Sequence, residues 1–385
     1  MYSESDLEAA VAAGAISDEA ANALRAHVAS QQSRAGLMAP GSMADEENIR
    51  LVTGFNDIFV AIACLLVIFS GLFVGGSRYV WLGGLLTAVA CWLMAELFTR
   101  KRRMALPSIV ILVAFEVGLG MFGGGLVANL LPTHAVTHQH WFNKELLTWH
   151  SFERHAWETA LIGLSAAVLA VIGAVAHWFR FRVAITVAAG NAALVLLLLS
   201  VLAWATGQEL DANPILAPAA LACGLAVFAY AMRWDLSDRE RRTQRADIAF
   251  WLHLLAAPLI AHPLFFWVGV FGANEVSWQQ AIGVLVVYIL FAVVALIVDR
   301  RALLVSALLY VLAALNELLD SVGRVETNLA LATLFVGAGL LALSVFWASL
   351  RRALLIRLPQ TWRDRLPPSR SAVSPRSSAS AAPAG

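Results

Sequence analysis

Residues 58–103 read IFVAIACLLVIFSGLFVGGSRYVWLGGLLTAVACWLMAELFTRKRR, and this stretch decides the fold. Two continuously apolar runs, near 58–76 and 79–98, are separated by a short gap and closed by Arg100-Lys101-Arg102-Arg103. A helix needs about 20 apolar residues to cross about 30 Å of hydrocarbon, so each run is an expected crossing. The runs are unbroken and not alternating, which predicts helices and excludes a barrel. Further runs of the same kind lie near 106–131, 157–178, 183–206, 215–232, 248–272, 280–298, 302–322 and 329–349. The expected fold is all-α: a polytopic bundle of about ten transmembrane helices.

Composition agrees. The chain has 385 residues, is 60% hydrophobic and 14% charged, and has a mean hydropathy of +0.73. Soluble domains are about a quarter charged, so water is not the solvent for most of this surface. Nucleic acid is not an expected partner, because the basic residues sit in turns between apolar runs and form no continuous face. Cys64, Cys91 and Cys223 all lie inside apolar runs, which predicts buried thiols and no disulfide framework. The opening MYSESDLEAA has no basic segment before an apolar core, so the run near 58–75 is expected to be the first membrane signal.

Orientation follows from the distribution of cations, which favours the cytoplasmic side. With the N-terminus inside, the outer side receives only Arg78, Lys144, Arg154 and Arg324 of the 27 basic residues. Every other Lys and Arg falls inside. The expectation is a multi-pass inner-membrane protein with both termini cytoplasmic.

The soluble segments divide into a helical hairpin over 1–30, a linker over 31–57, and a basic tail over 350–385 that follows the 58–349 membrane domain. In the hairpin, Ser5 and Glu8 form a capping box, Gly14 is a left-handed stop, and Ser17 caps the second helix. The two ends carry opposite charge: nine acids against three arginines in 1–57, and seven arginines against Asp364 in 350–385. The segment Arg351–Arg365, with Trp362 among its bases, is expected to touch anionic lipid. Residues 369–385 have a composition that builds no core.

The sequence DLEAAVAAGAISDEAANALRAHV and the runs just after it resemble the N-terminal region of the bacterial domain-of-unknown-function 2157 family of membrane proteins. The resemblance covers residues 1 to about 120. It implies multi-spanning inner-membrane placement and supplies no activity and no site residues.

Polar groups inside apolar runs are the best clue to a site, because hydrocarbon makes them costly. Glu116 stands about 15 Å into the third run, followed by Gly118, Gly120, Gly123, Gly124 and Gly125. A charge beside a breakable helix resembles a transporter site, while Gly120 and Gly124 are also spaced as a packing face. Asn191 and His262 reach comparable depths in the fifth and seventh runs. Glu116, Asn191 and His262 are thus the candidate substrate-binding set. Pro258 and Pro263 interrupt the seventh run, where His253 and His262 face opposite ways. Asn316 and Asp320 share a face of the ninth run. The outer gap 132–156 holds five histidines. His134 and His138 have i,i+4 spacing for a shared metal, with an interfacial segment anchored by Trp141, Phe142 and Trp149 as the alternative. No Ser/His/Asp set, HExxH or paired-Asp motif is present, so neither enzymatic chemistry nor a cofactor is expected. The remaining readings are an integral protein without catalysis, a secondary transporter or flippase, and an envelope sensor or assembly factor.

Overall fold

A computed structural model describes residues 11–14, 16–23, 55–74, 78–142, 145–207, 215–239, 241, 243–269, 277–304, 308, 311, 312, 315, 328–363 and 366. For residues 138–142, 145–147, 149, 150, 328, 329, 332 and 362 it describes the backbone alone. The Ser5–Glu8 capping box, the linker over 31–54, Asn316, Glu317, Asp320 and the tail beyond 366 lie outside the described residues, as does most of the expected 302–322 crossing.

The chain separates into two units, Met1–Arg50 and Leu51–Gly385. In the first, Gly14 adopts φ +70° and its N–H bonds the Val11 carbonyl at 2.9 Å, stopping one helical turn. Ser17 Oγ accepts the Ala20 N–H at 3.2 Å and starts the next, as its sequence position predicts.

The second unit is a bundle of α1 (Phe55–Phe73), α2 (Val80–Met94), α3 (Ala105–Leu130), α4 (Ala156–Phe181), α5 (Ala184–Thr206), α6 (Leu216–Ser237), α7 (Gln244–Val268), α8 (Trp278–Val298) and α9 (Asn328–Ile356). A π-helical turn, Ala95–Lys101, extends α2. Among the described residues nine helices are long and apolar enough to cross a membrane. This is the build of a multi-pass helical membrane protein. Its outer faces carry large apolar side chains such as Phe59, Leu66 and Val345, the last 76% exposed. Such a surface fits lipid and not water.

Hydrocarbon gives apolar helices no reason to associate, so close packing of small residues must do it. The chain supplies this at α2, α3 and α4. A methyl group on Gly84 would stand 2.5 Å from the Phe122 backbone nitrogen, and one on Gly118 2.9 Å from that of Ala88. On another face of α3, a methyl on Gly123 would stand 2.7 Å from the Ser165 carbonyl oxygen of α4. Neighbouring helices follow in sequence order from α1 to α5; α7 then packs on both α5 and α6, and α8 on α7 and α9. Cys64 and Cys91 are buried together with Ile68, Ala88, Ile111 and Phe115 between α1, α2 and α3. All three cysteines are free thiols.

Between α3 and α4 the chain forms an antiparallel hairpin, β1 (His134–Phe142) and β2 (Glu145–Glu153), in register from His134↔Glu153 to Phe142↔Glu145. The expected interfacial segment is thus a paired hairpin. Val136, Thr137, Thr148 and Phe152 suit strands, and pairing satisfies backbone groups that a coil at an interface would leave to water. It also sets His134 and His138 four residues apart along a strand, about 13 Å, and not one turn apart on a helix. Among the described residues no cluster of three or more His, Cys, Asp or Glu suits a metal.

Candidate functional site

The antiparallel helices gather two distinct ends. At the hairpin end, α2 begins, α3 ends and α4 begins, and between them lies a cavity of about 510 Å³. It is lined by Arg78, Val80, Gly120, Met121, Gly124, Gly125, Ala128, Asn129, Arg154, Ile162, Gly163 and Ala166. Its origin is local. Gly120 and Gly124 face Ala166 of α4, at 3.9 and 3.3 Å from an added methyl, so the two helices meet there without side chains to fill the space beyond. The spacing that also read as a helix-packing face therefore serves both packing and cavity.

Two guanidinium groups stand on this cavity. Arg154 donates from Nη2 to the Ala128 carbonyl at 2.8 Å, which anchors it to the end of α3. Its Nε is enclosed and has no hydrogen-bond acceptor among the described residues. Arg78 lies over the Tyr79 ring, 5.7 Å from its centroid, and is exposed. Neither has a carboxylate partner among the described residues. Both belong to the small set of cations that sequence reading assigns to the outer side.

The hairpin is fastened beside this cavity by Glu158, which is 1% exposed. Its carboxylate lies 3.2 Å from His134 Nε2 and accepts the His155 N–H at 2.7 Å. The His134 and His155 rings stack 4.3 Å apart. His134 thus serves as a structural partner of a helix start.

Glu116 lies one helical turn before Gly120 on α3, beneath the cavity and outside its lining. Both of its carboxyl oxygens are enclosed and have no hydrogen-bond partner among the described residues. Asn191 donates to the Val187 carbonyl of its own helix at 2.8 Å. His262 is exposed on α7, and His253 on the same helix is fully buried, so the two do face opposite ways. Helices α3 and α7 are not packed as neighbours, and the cavity at the hairpin end is not lined by Glu116, Asn191 or His262.

At the opposite, basic end lies a buried ionic cluster that the sequence did not disclose. Asp235 of α6, His253 of α7 and Arg300 just after α8 are 2%, 0% and 1% exposed. Arg300 clasps Asp235 in two places, through Nη2 to Oδ1 and through Nε to Oδ2 at 3.2 Å, and also donates to the Ala246 carbonyl at 3.2 Å. His253 Nε2 lies 2.8 Å from Asp235 Oδ2. The preceding residue, Asp299, accepts from Trp347 Nε1 at 2.8 Å and from Arg241 at 3.3 Å. Arg351 stands 3.6 Å from the same carboxylate and is buried, which removes it from the arginines expected to meet anionic lipid. Arg103, Arg182, Arg241 and Asp299 all take left-handed backbone at this end, φ 52° to 62°. Non-glycine residues adopt that conformation at a cost of about 1–2 kcal/mol each, and the Arg241–Asp299 contacts and the Gln244 bond to the Arg182 carbonyl hold three of these turns in place. The cluster joins α6, α7, α8 and α9. His177 is likewise a packing histidine, 3.0 Å from Thr186 Oγ1 and ringed by Trp92, Phe115 and Phe181.

No family model, no curated protein and no solved structure matches this chain. The functional reading therefore rests on the two ends of the bundle. At the basic end the charges of Asp235, Asp299, Arg300 and Arg241 are paired with one another. The hairpin end presents a pair of strands and two guanidinium groups without carboxylate partners among the described residues.

Proposed function

We propose that this chain is a non-enzymatic integral protein of the bacterial inner membrane that receives an envelope ligand at its outward, hairpin end, as a sensor or assembly factor. Ten crossings with both termini cytoplasmic follow from the cation distribution, and the resemblance of residues 1 to about 120 to the domain-of-unknown-function 2157 family supports that placement. The observation that carries the receptor reading is the hairpin itself. Residues 134–142 and 145–153 form paired strands, and Glu158 of α4 bonds His134 at their base. An ordered projection beside a cavity is a surface built for recognition. Transport through a midplane site of Glu116, Asn191 and His262 has less support, because these residues stand on helices that do not enclose a common cavity described here.

The test is genetic. A strain lacking the protein is screened for sensitivity to envelope stress and complemented with the full chain or with one in which a Gly-Ser link replaces residues 134–153. Loss of complementation at equal membrane abundance is expected. Full complementation by the hairpin-less chain overturns the receptor reading.

A further inference from the structure

We infer that the cavity between α2, α3 and α4 is a binding site for an anionic amphiphile, a phosphate- or carboxylate-headed lipid of the outward leaflet. The inference rests on the outward placement of the hairpin end and adds the chemical class of the ligand.

Three properties of the cavity point to this class. The first is charge. Arg154 and Arg78 both line it, and neither has a carboxylate partner among the described residues. No acid lines the cavity. Two guanidinium groups on a lining without acids leave a local positive charge, and an anion is the group that pairs with it through charge-assisted hydrogen bonds. The second is polarity. Apart from the two arginines and Asn129, the lining is glycine, alanine, valine, isoleucine and methionine. Such walls favour hydrocarbon and disfavour a fully hydrated ion. The third is shape. The trough runs along α3 from Gly120 to Asn129, about 13 Å at 1.5 Å per residue, with its cations at the helix-end limit. Its volume of about 510 Å³ lies in the usual range for a small-molecule site. A headgroup at Arg78, Arg154 and Asn129 with a chain directed toward Gly120 fills the trough in one way only, polar end outward.

Glycine at 120 is what keeps the deep end open. A methyl there meets only Ala166, at 3.9 Å, so a larger side chain grows into the cavity instead of into a neighbouring backbone. This gives a variant that blocks the chain-binding part without touching the charges.

The experiment uses the full-length protein, purified in detergent and supplied with equimolar phosphatidylglycerol and phosphatidylcholine, with retained lipid counted by native mass spectrometry. The wild type is expected to retain phosphatidylglycerol in preference to phosphatidylcholine. Each charge-assisted hydrogen bond lost corresponds to about tenfold in affinity or more, so Arg154→Gln is expected to weaken retention about tenfold and Arg78→Gln/Arg154→Gln further. Gly120→Leu is expected to abolish retention with both arginines intact. Glycerol phosphate, which has the headgroup and no chain, is expected not to compete at millimolar concentration. Equal retention of the two lipids, unchanged retention in both Arg154→Gln and Gly120→Leu, or full competition by glycerol phosphate overturns the proposal. Monodisperse elution and an unchanged unfolding temperature certify that each variant is folded. Retention lost while Thr148→Cys still labels from outside refutes the lipid site alone. Retention kept while that cysteine labels from inside supports the site and refutes the outward receptor reading.

Discussion

Asp235→Leu isolates the energetics of the basic end. In the native protein the Asp235 carboxylate accepts two bonds from Arg300 and lies 2.8 Å from His253 Nε2, with all three side chains out of solvent. Removing it strands the Arg300 guanidinium with the Ala246 carbonyl as its remaining acceptor among these contacts. Breaking a buried pair from one side costs about 3–5 kcal/mol, because the surviving charge stays buried. Arg300→Met strands the carboxylate and is expected to cost a similar amount. Replacing both partners with apolar residues removes both charges, and such exchanges are often neutral or stabilising. The double variant Asp235→Leu/Arg300→Met should therefore lie within about 2 kcal/mol of wild type, far from the sum of the singles. The assay is unfolding in mixed micelles with increasing SDS fraction, followed by tryptophan fluorescence. A loss below about 1 kcal/mol in Asp235→Leu, or a double variant equal to the sum of the singles, refutes a coupled buried pair.

Further outcomes follow from the same geometry. Gly84→Ala forces a methyl to 2.5 Å from the Phe122 backbone nitrogen and is expected to destabilise by about 1–3 kcal/mol, whereas Gly120→Ala, with 3.9 Å of room, is expected to be neutral in the same assay. Glu116→Met is expected to leave stability unchanged or raised, since its carboxyl oxygens have no hydrogen-bond partner among the described residues; a loss above about 1 kcal/mol reveals a partner that holds helices together. Glu158→Ala is expected to release the hairpin, read as faster amide hydrogen exchange across 134–142 with unchanged exchange in α5; equal protection in the hairpin shows that Glu158 does not fasten it.

The helices were legible because apolar length is a one-dimensional signal. The run near 157–178 became Ala156–Phe181 and that near 183–206 became Ala184–Thr206. The error at α6 is instructive. The apolar run ends at 232, before Arg233 and Asp235, but the helix continues to Ser237 because Asp235 is paired with Arg300 beyond α8 and hydrogen-bonded with His253 of α7. A partner 65 residues away leaves no local trace, so Asp235 and Arg300 read as loop charges. The hairpin has a sequence signal: two nine-residue segments that each carry Thr, Trp and Phe, joined by the two residues Asn143 and Lys144. The abundance of histidine drew attention to metal chemistry instead. The glycines around Gly120 read as packing positions, but the cavity needs Arg78 from just before α2 and Arg154 from just before α4, a meeting that spacing in the sequence does not show.

Everything functional depends on which side the hairpin faces. The direct measurement is cysteine accessibility in intact cells, with Cys64, Cys91 and Cys223 replaced by alanine and a single cysteine placed at Thr148 in β2 or at Ser237 at the end of α6. Labelling of Thr148→Cys by a membrane-impermeant maleimide in intact cells, with Ser237→Cys labelled only after the inner membrane is opened, is the predicted result. Labelling of both positions from the same side, or of Ser237→Cys alone in intact cells, contradicts it.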